Sequence, residues 1–509
     1  MTPVPLAFDL ADQAATERSA QDLAMAIAPG DFVYLVGDLG AGKTTFARAL
    51  LRALADDPDY EVPSPTFTLV QAYNELPVPI LHADLYRVSD PEEVVELGFD
   101  EASQTHAVLI EWPENGVGEI PAPGLTVTLT GGETDHRHAQ LAFTDETFAR
   151  RWQRSASIRT FIGRFSPPAS RARLLGDASA RTYEIVRSGG ERLVLMNDPA
   201  LPHTPETQPF RDYANAFHLA TDVRPFVAIG RALAEYGFCA PTLIASDIDA
   251  GLLLLSHLGD GRIVDGEGEP VADRYIAAAQ CLADLHARSW PLEVPVTDEA
   301  RHTIPRFDAG AMRVGLSLLP DWWGRENALS GAEVEALYEL WAPIFDGFQQ
   351  GYDDLVLRDF HSPNIIWQPD AEGIDRIGLI DFQDAVIGPG AYDLASVVRD
   401  ARVTVPEGLQ DEMLAAYCAR AAQLQPNFNE AKLRRDVAAL AAFRSSRLLG
   451  LWVRLDLRDG KPNYRGHEAR TKTYLSQSLA HPDLADLQDW YVRNGVLTPE
   501  VLKSGLANG

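Results

Sequence analysis

Positive charge is in short supply in this chain. Its 509 residues carry 44 Lys and Arg against 73 Asp and Glu, a formal net charge of −29 and a pI near 4.7. So acidic a surface repels a polyphosphate backbone, which excludes a broad nucleic-acid-binding face. Any role in RNA metabolism has to run through protein partners or a small local patch. Cysteine is scarcer still. Cys239, Cys281 and Cys418 are widely spaced, form no metal-ligand pattern or disulfide framework, and suit a reducing cytosol. Long apolar runs are missing as well. Runs such as LLLL at 252–255 fall far short of the roughly 20 residues that span a bilayer. Residues 1–10 hold two prolines and an aspartate where a secretion signal has a basic and then an apolar segment. These absences predict a cytoplasmic protein without membrane contact. The 46% hydrophobic and 23% charged fractions are those of an ordinary globular chain, long enough for two or three domains.

What is present begins with a nucleotide pattern. Phe32-Val33-Tyr34-Leu35-Val36 reads as a strand buried on both faces and runs into GDLGAGKT at 37–44, a full G-x-x-x-x-G-K-T. A helix follows over 45–54, with Phe46, Leu50 and Leu54 at four-residue spacing. In this strand–turn–helix context the glycines let backbone amides close around phosphates. Lys43 then reaches the β/γ oxygens and the Thr44 hydroxyl meets Mg²⁺. Asp38, Gly40, Ala41, Gly42, Lys43, Thr44 and Thr45 are therefore the expected ATP-binding set. Two more apolar runs end in acids, at Asp84 and at Glu111. Ligands of an open α/β sheet sit beyond the carboxyl ends of its strands, so both acids face the same side as the phosphate loop. One would hold or polarise Mg²⁺, with Thr44, and the other would position water. An acid at a strand end also serves as an ordinary turn cap. Residues 62–70 (VPSPTFTLV) suit a nucleotide-responsive segment. Alternation at 125–129 and 138–143 around Gly131-Gly132 predicts a hairpin closing the edge of this domain. The polar stretch 144–156 is the expected junction, giving domains 1–150 and 157–509.

GDLGAGKTT, SPTFTLV, HADLYR at 82–87, ELG at 96–98 and IEWPE at 110–114 occur in order across this first domain. On these motifs it resembles the bacterial TsaE family, the small ATPase of tRNA threonylcarbamoyladenosine synthesis. The resemblance implies an ATPase that acts with a two-protein threonylcarbamoyl-transfer machinery of the TsaD/TsaB type and does not itself modify tRNA. It also carries Lys43, Thr44, Thr66, Asp84 and Glu111 into that family's functional roles, with Asp84 and Glu111 catalytic and Thr66 at the nucleotide.

A second chemical pattern lies in LRDFHSPNIIWQPDAEGIDRIGLIDFQD at 357–384. Asp359 and Asn364 bracket four loop residues, and the apolar run at 377–380 delivers Asp381. Kinase-like enzymes place a base and two magnesium ligands around an ATP γ-phosphate in this way. Asp359 would accept or orient the acceptor hydroxyl, while Asn364 and Asp381 would hold the metal. Upstream, 173–186 reads as strand, small-residue turn (GDASA, with Ser179 at the ATP phosphates) and strand, with the next strand at 192–196. Residues 252–255 followed by SHLG suit the strand and hinge between two lobes. CLADLH at 281–286 would open the helical lobe. Asp393 either holds the catalytic loop by hydrogen bonds or caps its own helix.

GDASARTY, LMNDP, LRDFHSPNIIW, LIDFQDAVIGP, AYDLAS and LRDGKPNY at 457–464 resemble the aminoglycoside-phosphotransferase-like kinases. Among these they are most similar to the anomeric N-acetylmuramate/N-acetylglucosamine kinases of cell-wall recycling. The resemblance implies an ATP-dependent kinase for an amino sugar. Two positions depart from the pattern. Met196 stands where protein kinases have an ATP-phosphate lysine, leaving Arg181 or Arg192 to serve instead, or else a pseudokinase. Arg358 replaces the glycine that precedes the catalytic Asp in many antibiotic kinases. Trp322, Trp323, Trp341 and Trp452 suit a sugar platform or a core; Arg444, Arg447 and Arg454 suit a lactyl carboxylate or a solvated helix face. None is assigned.

The sequence thus predicts an α/β P-loop NTPase domain followed by an α+β two-lobed protein-kinase-like domain, using ATP and Mg²⁺ twice. The rival readings join the first domain to a kinase for another small alcohol (an aminoglycoside, choline or homoserine) or to a nucleotide-binding pseudokinase scaffold.

Overall fold

The computed structural model describes residues 6–65, 68–90, 92–131, 136–165, 169–174 and 181–498. Thr66 and Ser179, both expected at nucleotide sites, lie outside the described residues. The chain forms two compact units. Met1–Asp198 with Ile244–Asp247 and Leu252–Leu255 make the first; Pro199–Leu243, Ile248–Gly251 and Ser256–Gly509 make the second.

The first unit contains a seven-stranded sheet. In chain order its strands are β1 (Leu6–Leu10), β2 (Phe32–Val36), β3 (Val70–Tyr73), β4 (Ile80–Asp84), β5 (Ala107–Glu111), β6 (Leu125–Gly131) and β7 (Arg137–Phe143), and in space they run β1-β7-β6-β2-β5-β4-β3. The centre, β4-β5-β2-β6, is parallel. Its apolar runs are the reason: every residue of β4 and β5 is buried, as strands covered on both faces require. Helix α1 (Gln13–Ala26) starts where the Asp12 carboxylate accepts the Ala15 amide at 2.7 Å. Helix α2 (Lys43–Ala55) buries Phe46, Leu50 and Leu54 as the spacing predicts. Two single-turn helices, α3 (Glu92–Val95) and α4 (Phe99–Ala102), lie between β4 and β5. The predicted hairpin forms from β6 and β7, but it does not close the sheet. β1 adds antiparallel to β7, from Leu6 opposite Leu141 to Leu10 opposite Arg137, and is the edge. Five residues of mixed polarity carry too little periodicity to announce a strand.

The expected junction at 144–156 lies mostly inside a helix, α5 (Glu146–Phe165). Its polar residues look like linker in sequence because they are spent on α1 and the sheet. Arg151 bonds both Asp31 oxygens and the Ala26 carbonyl, the Ser155 hydroxyl donates to the Asp22 carbonyl, and Arg159 pairs with Asp22. A second sheet belongs to the same unit: β8 (Ser170–Leu174), β9 (Thr182–Ser188), β10 (Glu191–Asn197), β11 (Leu243–Asp247) and β12 (Leu252–Ser256), ordered β11-β12-β10-β9-β8. Arg171 of β8 ties the sheets together. Its buried guanidinium forks onto Glu184 of β9 at 2.6 and 2.8 Å and reaches Asp22 of α1 at 2.7 Å and the Ser155 carbonyl at 2.9 Å. Burial alone pushes the Asp22 carboxyl up, against Arg159 and Arg171, which lower it; Glu184 and Asp22 hold Arg171 above its ordinary value. Because arginine keeps its proton throughout, the group stays an ion network. Arg187 of β9 adds a bidentate pair with Asp56, the C-cap of α2, at 2.7 and 2.6 Å.

The second unit is mainly helical: α6 (Gln208–Phe217), α7 (Arg224–Glu235), α8 (Ala272–His286), α9 (Ala309–Leu316), α10 (Gly331–Gly347), α11 (Ala391–Val398), α12 (Glu407–Leu424), α13 (Glu430–Leu457), α14 (Glu468–Leu479) and α15 (Ala485–Arg493). Three small antiparallel pairs interrupt it: β13 (Glu293–Pro295) with β14 (Arg301–Thr303), β15 (Asp354–Val356) with β18 (Val386–Gly388), and β16 (Ile365–Trp367) with β17 (Ile377–Leu379). CLADLH ends α8 and does not open the helical part, since α6 and α7 precede it. α13 is the axis of the unit; its Phe443 meets Phe307, Trp341, Phe345 and Tyr392. A π-turn at Leu319–Gly324 presses on α13 so closely that a Cβ at Gly450 would lie 1.9 Å from the Leu318 carbonyl oxygen. Trp323, Trp341 and Trp452 are core residues.

Candidate functional sites

The first site forms where β2 ends. Gly37, Gly40 and Gly42 all have positive φ, and a Cβ at Gly37 would meet the Leu129 carbonyl oxygen at 2.3 Å. That backbone is open to glycine alone, which is why the motif spells it. Lys43 turns back into the loop, donating to the carbonyls of Gly37 at 2.6 Å and Asp38 at 3.0 Å, with its ammonium 3.5 Å from the Trp112 ring centroid. Burial pulls its pKa down, while the carboxylates of Glu111, Glu114, Asp84 and Asp38 push it back up. The Thr44 hydroxyl donates to Glu111 at 2.8 Å. The register sets Glu111 beside Leu35 of β2 on one side and Asp84 of β4 on the other, so the strand pairing brings both acids to the loop. Asp84 Oδ1 also accepts the Tyr86 amide at 3.0 Å, so it caps its own turn as well. Ala41 is buried behind the loop, and Thr45 starts the face of α2 that turns toward Arg48 and Arg52.

Three residues there went unassigned. His82 Nε2 lies 3.0 Å from the second Glu111 oxygen, both side chains being fully buried, and so orients that carboxylate. Trp112, at φ 58°, lays its ring under Lys43. Arg137 of β7 packs across Gly42, where a Cβ would lie 2.6 Å from its Nε. HADLYR and IEWPE contain the first two; nothing local marks Arg137, whose place depends on the β1–β7–β6 pairing.

In the second unit, β15 delivers the chain into a loop fixed by one buried carboxylate. Asp393 Oδ2 accepts the Leu357 amide at 2.6 Å and Oδ1 accepts the Arg358 amide at 2.8 Å, while Gly390 occupies the cap of α11. Of the two roles open for Asp393, the structure shows loop-holding. Arg358 adopts φ 73° and spends its guanidinium on the Phe217 and His218 carbonyls at 2.9 and 3.0 Å. Asp359 follows it. Burial raises the Asp359 pKa, but His361, Arg447, Arg358 and Arg444 together hold it below its ordinary value. The β16–β17 pair sets Ile365 opposite Leu379, which brings Asn364 to Asp381. The Asn364 side-chain amide donates to the Asp359 carbonyl at 2.9 Å and to Asp381 Oδ2 at 3.3 Å, and Gln383 donates to Asp381 Oδ1 at 3.0 Å. Asp381 sits at φ 61°, a strained conformation for a non-glycine residue of the kind that collects at functional sites. Asp400, also unassigned in sequence, accepts the Ser362 amide at 2.7 Å and anchors the far end of the loop. In the first unit Met196 is fully buried in β10, and Arg181 pairs with Asp198 at 3.3 Å.

Comparison with known proteins finds two families in one chain. Residues 10–139 match the model of the threonylcarbamoyl adenosine biosynthesis protein TsaE, and residues 170–434 match that of the phosphotransferase enzyme family. The N-acetylmuramate/N-acetylglucosamine kinase of Caulobacter vibrioides is 33% identical over 64% of this chain and 91% of its own length; that of Pseudomonas aeruginosa is 30% identical over 63% and 87%. The tRNA threonylcarbamoyladenosine biosynthesis protein TsaE of Rickettsia conorii is 44% identical over 24% of this chain and 69% of its own length. Both families use ATP, and no described helix is long and apolar enough to cross a membrane. With a P-loop cradle on one sheet and a loop-and-hairpin acid cluster in the helical unit, the chain belongs to the phosphotransferase enzyme family and carries a TsaE-family domain ahead of it.

Proposed function

We propose that the chain has two ATP-driven activities. The first domain hydrolyses ATP in support of tRNA threonylcarbamoyladenosine synthesis, together with a TsaD/TsaB-type protein pair. The second transfers the γ-phosphoryl group of ATP to the anomeric hydroxyl of N-acetylmuramate or N-acetylglucosamine in the cytoplasm. The observation that carries the kinase reading is the Asn364 side chain, which bridges the backbone of Asp359 to the carboxylate of Asp381.

Both sites fit Mg²⁺. Asn364 spends its N–H groups on Asp359 and Asp381, so its amide oxygen and the Asp381 carboxylate would be the ligands there, and the first site offers the Thr44 hydroxyl with Glu111. These are the hard oxygen donors the ion prefers. When bound it offsets charge on the phosphoryl oxygens. Asp359 accepts the sugar hydroxyl as a hydrogen bond and holds it in line. Its lowered pKa makes it a weak base, so it takes the proton late, which suits a hydroxyl as acidic as an anomeric one. In the first domain Lys43 exchanges its two loop carbonyls for β/γ-phosphate oxygens, His82 holds Glu111 in orientation, and Asp84 positions water.

Phosphorus NMR of the product made from each amino sugar tests the kinase reading. A sugar 1-phosphate, coupled to the anomeric proton, is expected; a 6-phosphate, or turnover of choline or an aminoglycoside alone, overturns it. The absence of any turnover by a folded chain would select the rival reading, a nucleotide-binding pseudokinase.

A further inference from the structure

The acceptor side of the kinase site carries more positive charge than its own residues use. Arg444 and Arg447 lie three residues apart on α13, and Arg454 lies two turns beyond Arg447 on the same face. Arg444 is 5% exposed and makes no hydrogen bond or ion pair among the described residues. Arg447 stacks on the Phe217 ring, 4.8 Å from its centroid, a ring whose centroid the Arg358 guanidinium also approaches to 4.1 Å. The Nε atoms of Arg447 and Arg454 are buried without a partner. The neighbouring acids are committed. Asp359 faces Arg358, Arg444 and Arg447 at once and has to receive the acceptor hydroxyl. Asp459, beside Arg454, is already held by Arg458 at 2.7 and 3.0 Å.

Buried guanidinium groups are costly unless an anion answers them. In a chain with a net charge of −29, a cluster of arginines short of carboxylates runs against composition. Resting on the sugar-kinase reading, we propose that Arg444, Arg447 and Arg454 form an anion subsite beside Asp359 that takes the carboxylate of an acidic amino-sugar acceptor. Guanidinium forks match a carboxylate in geometry and charge. N-acetylmuramate bears such a group on its lactyl ether; N-acetylglucosamine bears none. The subsite therefore sets the preference between these two sugars while Asp359, Asn364 and Asp381 perform the same transfer on both. Because α13 is pressed by the π-turn at Gly450, between Arg447 and Arg454, the two cations are held at a fixed spacing.

The test pairs kinetics with binding. In Arg447→Gln and Arg454→Gln, the KM for N-acetylmuramate should rise about 10- to 100-fold more than that for N-acetylglucosamine, the scale of one charge-assisted bond. Arg454→Lys should recover part of the loss. An equal loss for both sugars would assign the arginines to the ATP phosphates or to the fold and overturn the subsite. Thermal stabilisation of the full chain by D-lactate without nucleotide reads the anion site independently of turnover. It should be present in the native chain and absent in the Arg447→Gln/Arg454→Gln double variant. No stabilisation of the native chain overturns the subsite whatever the acceptor proves to be. Stabilisation by lactate without phosphorylation of either sugar would overturn the sugar-kinase reading and leave the anion site standing.

Discussion

Single side chains separate the two activities. In the proposed roles Lys43 is the P-loop cation and Asp359 the acceptor-side carboxylate, and neither shares a partner with the other. Lys43→Ala should abolish ATP hydrolysis by the first domain and leave sugar phosphorylation within about twofold. Asp359→Asn should lower kcat for the sugar by about 10²–10⁴, with little change in KM. Assays of both activities on each purified variant decide this, and loss of both from either change in a folded protein would refute separate engines. The environment of Asp359 also sets a pH dependence. Burial raises its pKa, but His361, Arg447, Arg358 and Arg444 outweigh burial and leave it lowered, so it is ionised from neutral pH down through the ordinary carboxylate range. A depressed folded pKa contributes stability above the unfolded value of about 3.9, and that contribution is lost as pH falls toward the lowered one. The kinase should accordingly show no Asp359 limb in kcat/KM between about pH 5 and pH 8. A limb centred there in the native enzyme, and gone from the residual activity of Asp359→Asn, would contradict it.

Elements place those side chains, and two of them do so through contacts a sequence does not display. The loop that carries Asp359 is held by Asp393 of α11, which accepts two consecutive amides. Asp393→Ala strands both amides in the interior and should cost about 3 kcal/mol, with kinase activity falling more than fold content. Urea unfolding followed by circular dichroism, alongside turnover, checks the split. α13 is located by the π-turn against Gly450. A Cβ there meets backbone at 1.9 Å, so Gly450→Ala should destabilise the chain by about 3 kcal/mol or more and displace the arginine face. Gly408 of α12 has no neighbour within 4 Å, and the same change there should be neutral or stabilising by up to about 1 kcal/mol. Comparable melting temperatures for the two variants would show that the close approach is unimportant.

At the scale of the molecule, the P-loop sheet and the β8–β12 sheet belong to one compact unit although their sequences belong to two families. Arg171 is the most deeply buried of the ties between them, beside the Arg187–Asp56 pair. Fully buried, it answers Glu184 of one sheet and Asp22 beside the other. Arg171→Met leaves two buried carboxylates with less counter-charge and should cost about 3–5 kcal/mol. Because both sheets lose the same partner, heat should inactivate the ATPase and the kinase of this variant together, several degrees below the native chain. Retention of either activity at the native inactivation temperature would show that the sheets are stabilised separately.

The residues that meet in both candidate sites were legible in sequence because their arrangement is local. GDLGAGKT needs glycines for positive φ, and D-x-x-x-x-N followed by an apolar strand and Asp381 needs only a loop and a hairpin, so spacing alone carries them. Partners that hold these groups from a distance were not legible. His82 orients Glu111 across a strand pair, Arg137 reaches Gly42 from an edge hairpin, and Asp393 and Asp400 clamp a loop from α11 and its C-terminal turn. The polar run at 144–156 looked like a junction because its partners, the Asp31 carboxylate for Arg151 and the Asp22 carbonyl for Ser155, lie over a hundred residues away. Local backbone geometry is written in consecutive residues; the pairing of buried charges is decided only when strands and helices bring distant residues within hydrogen-bonding distance.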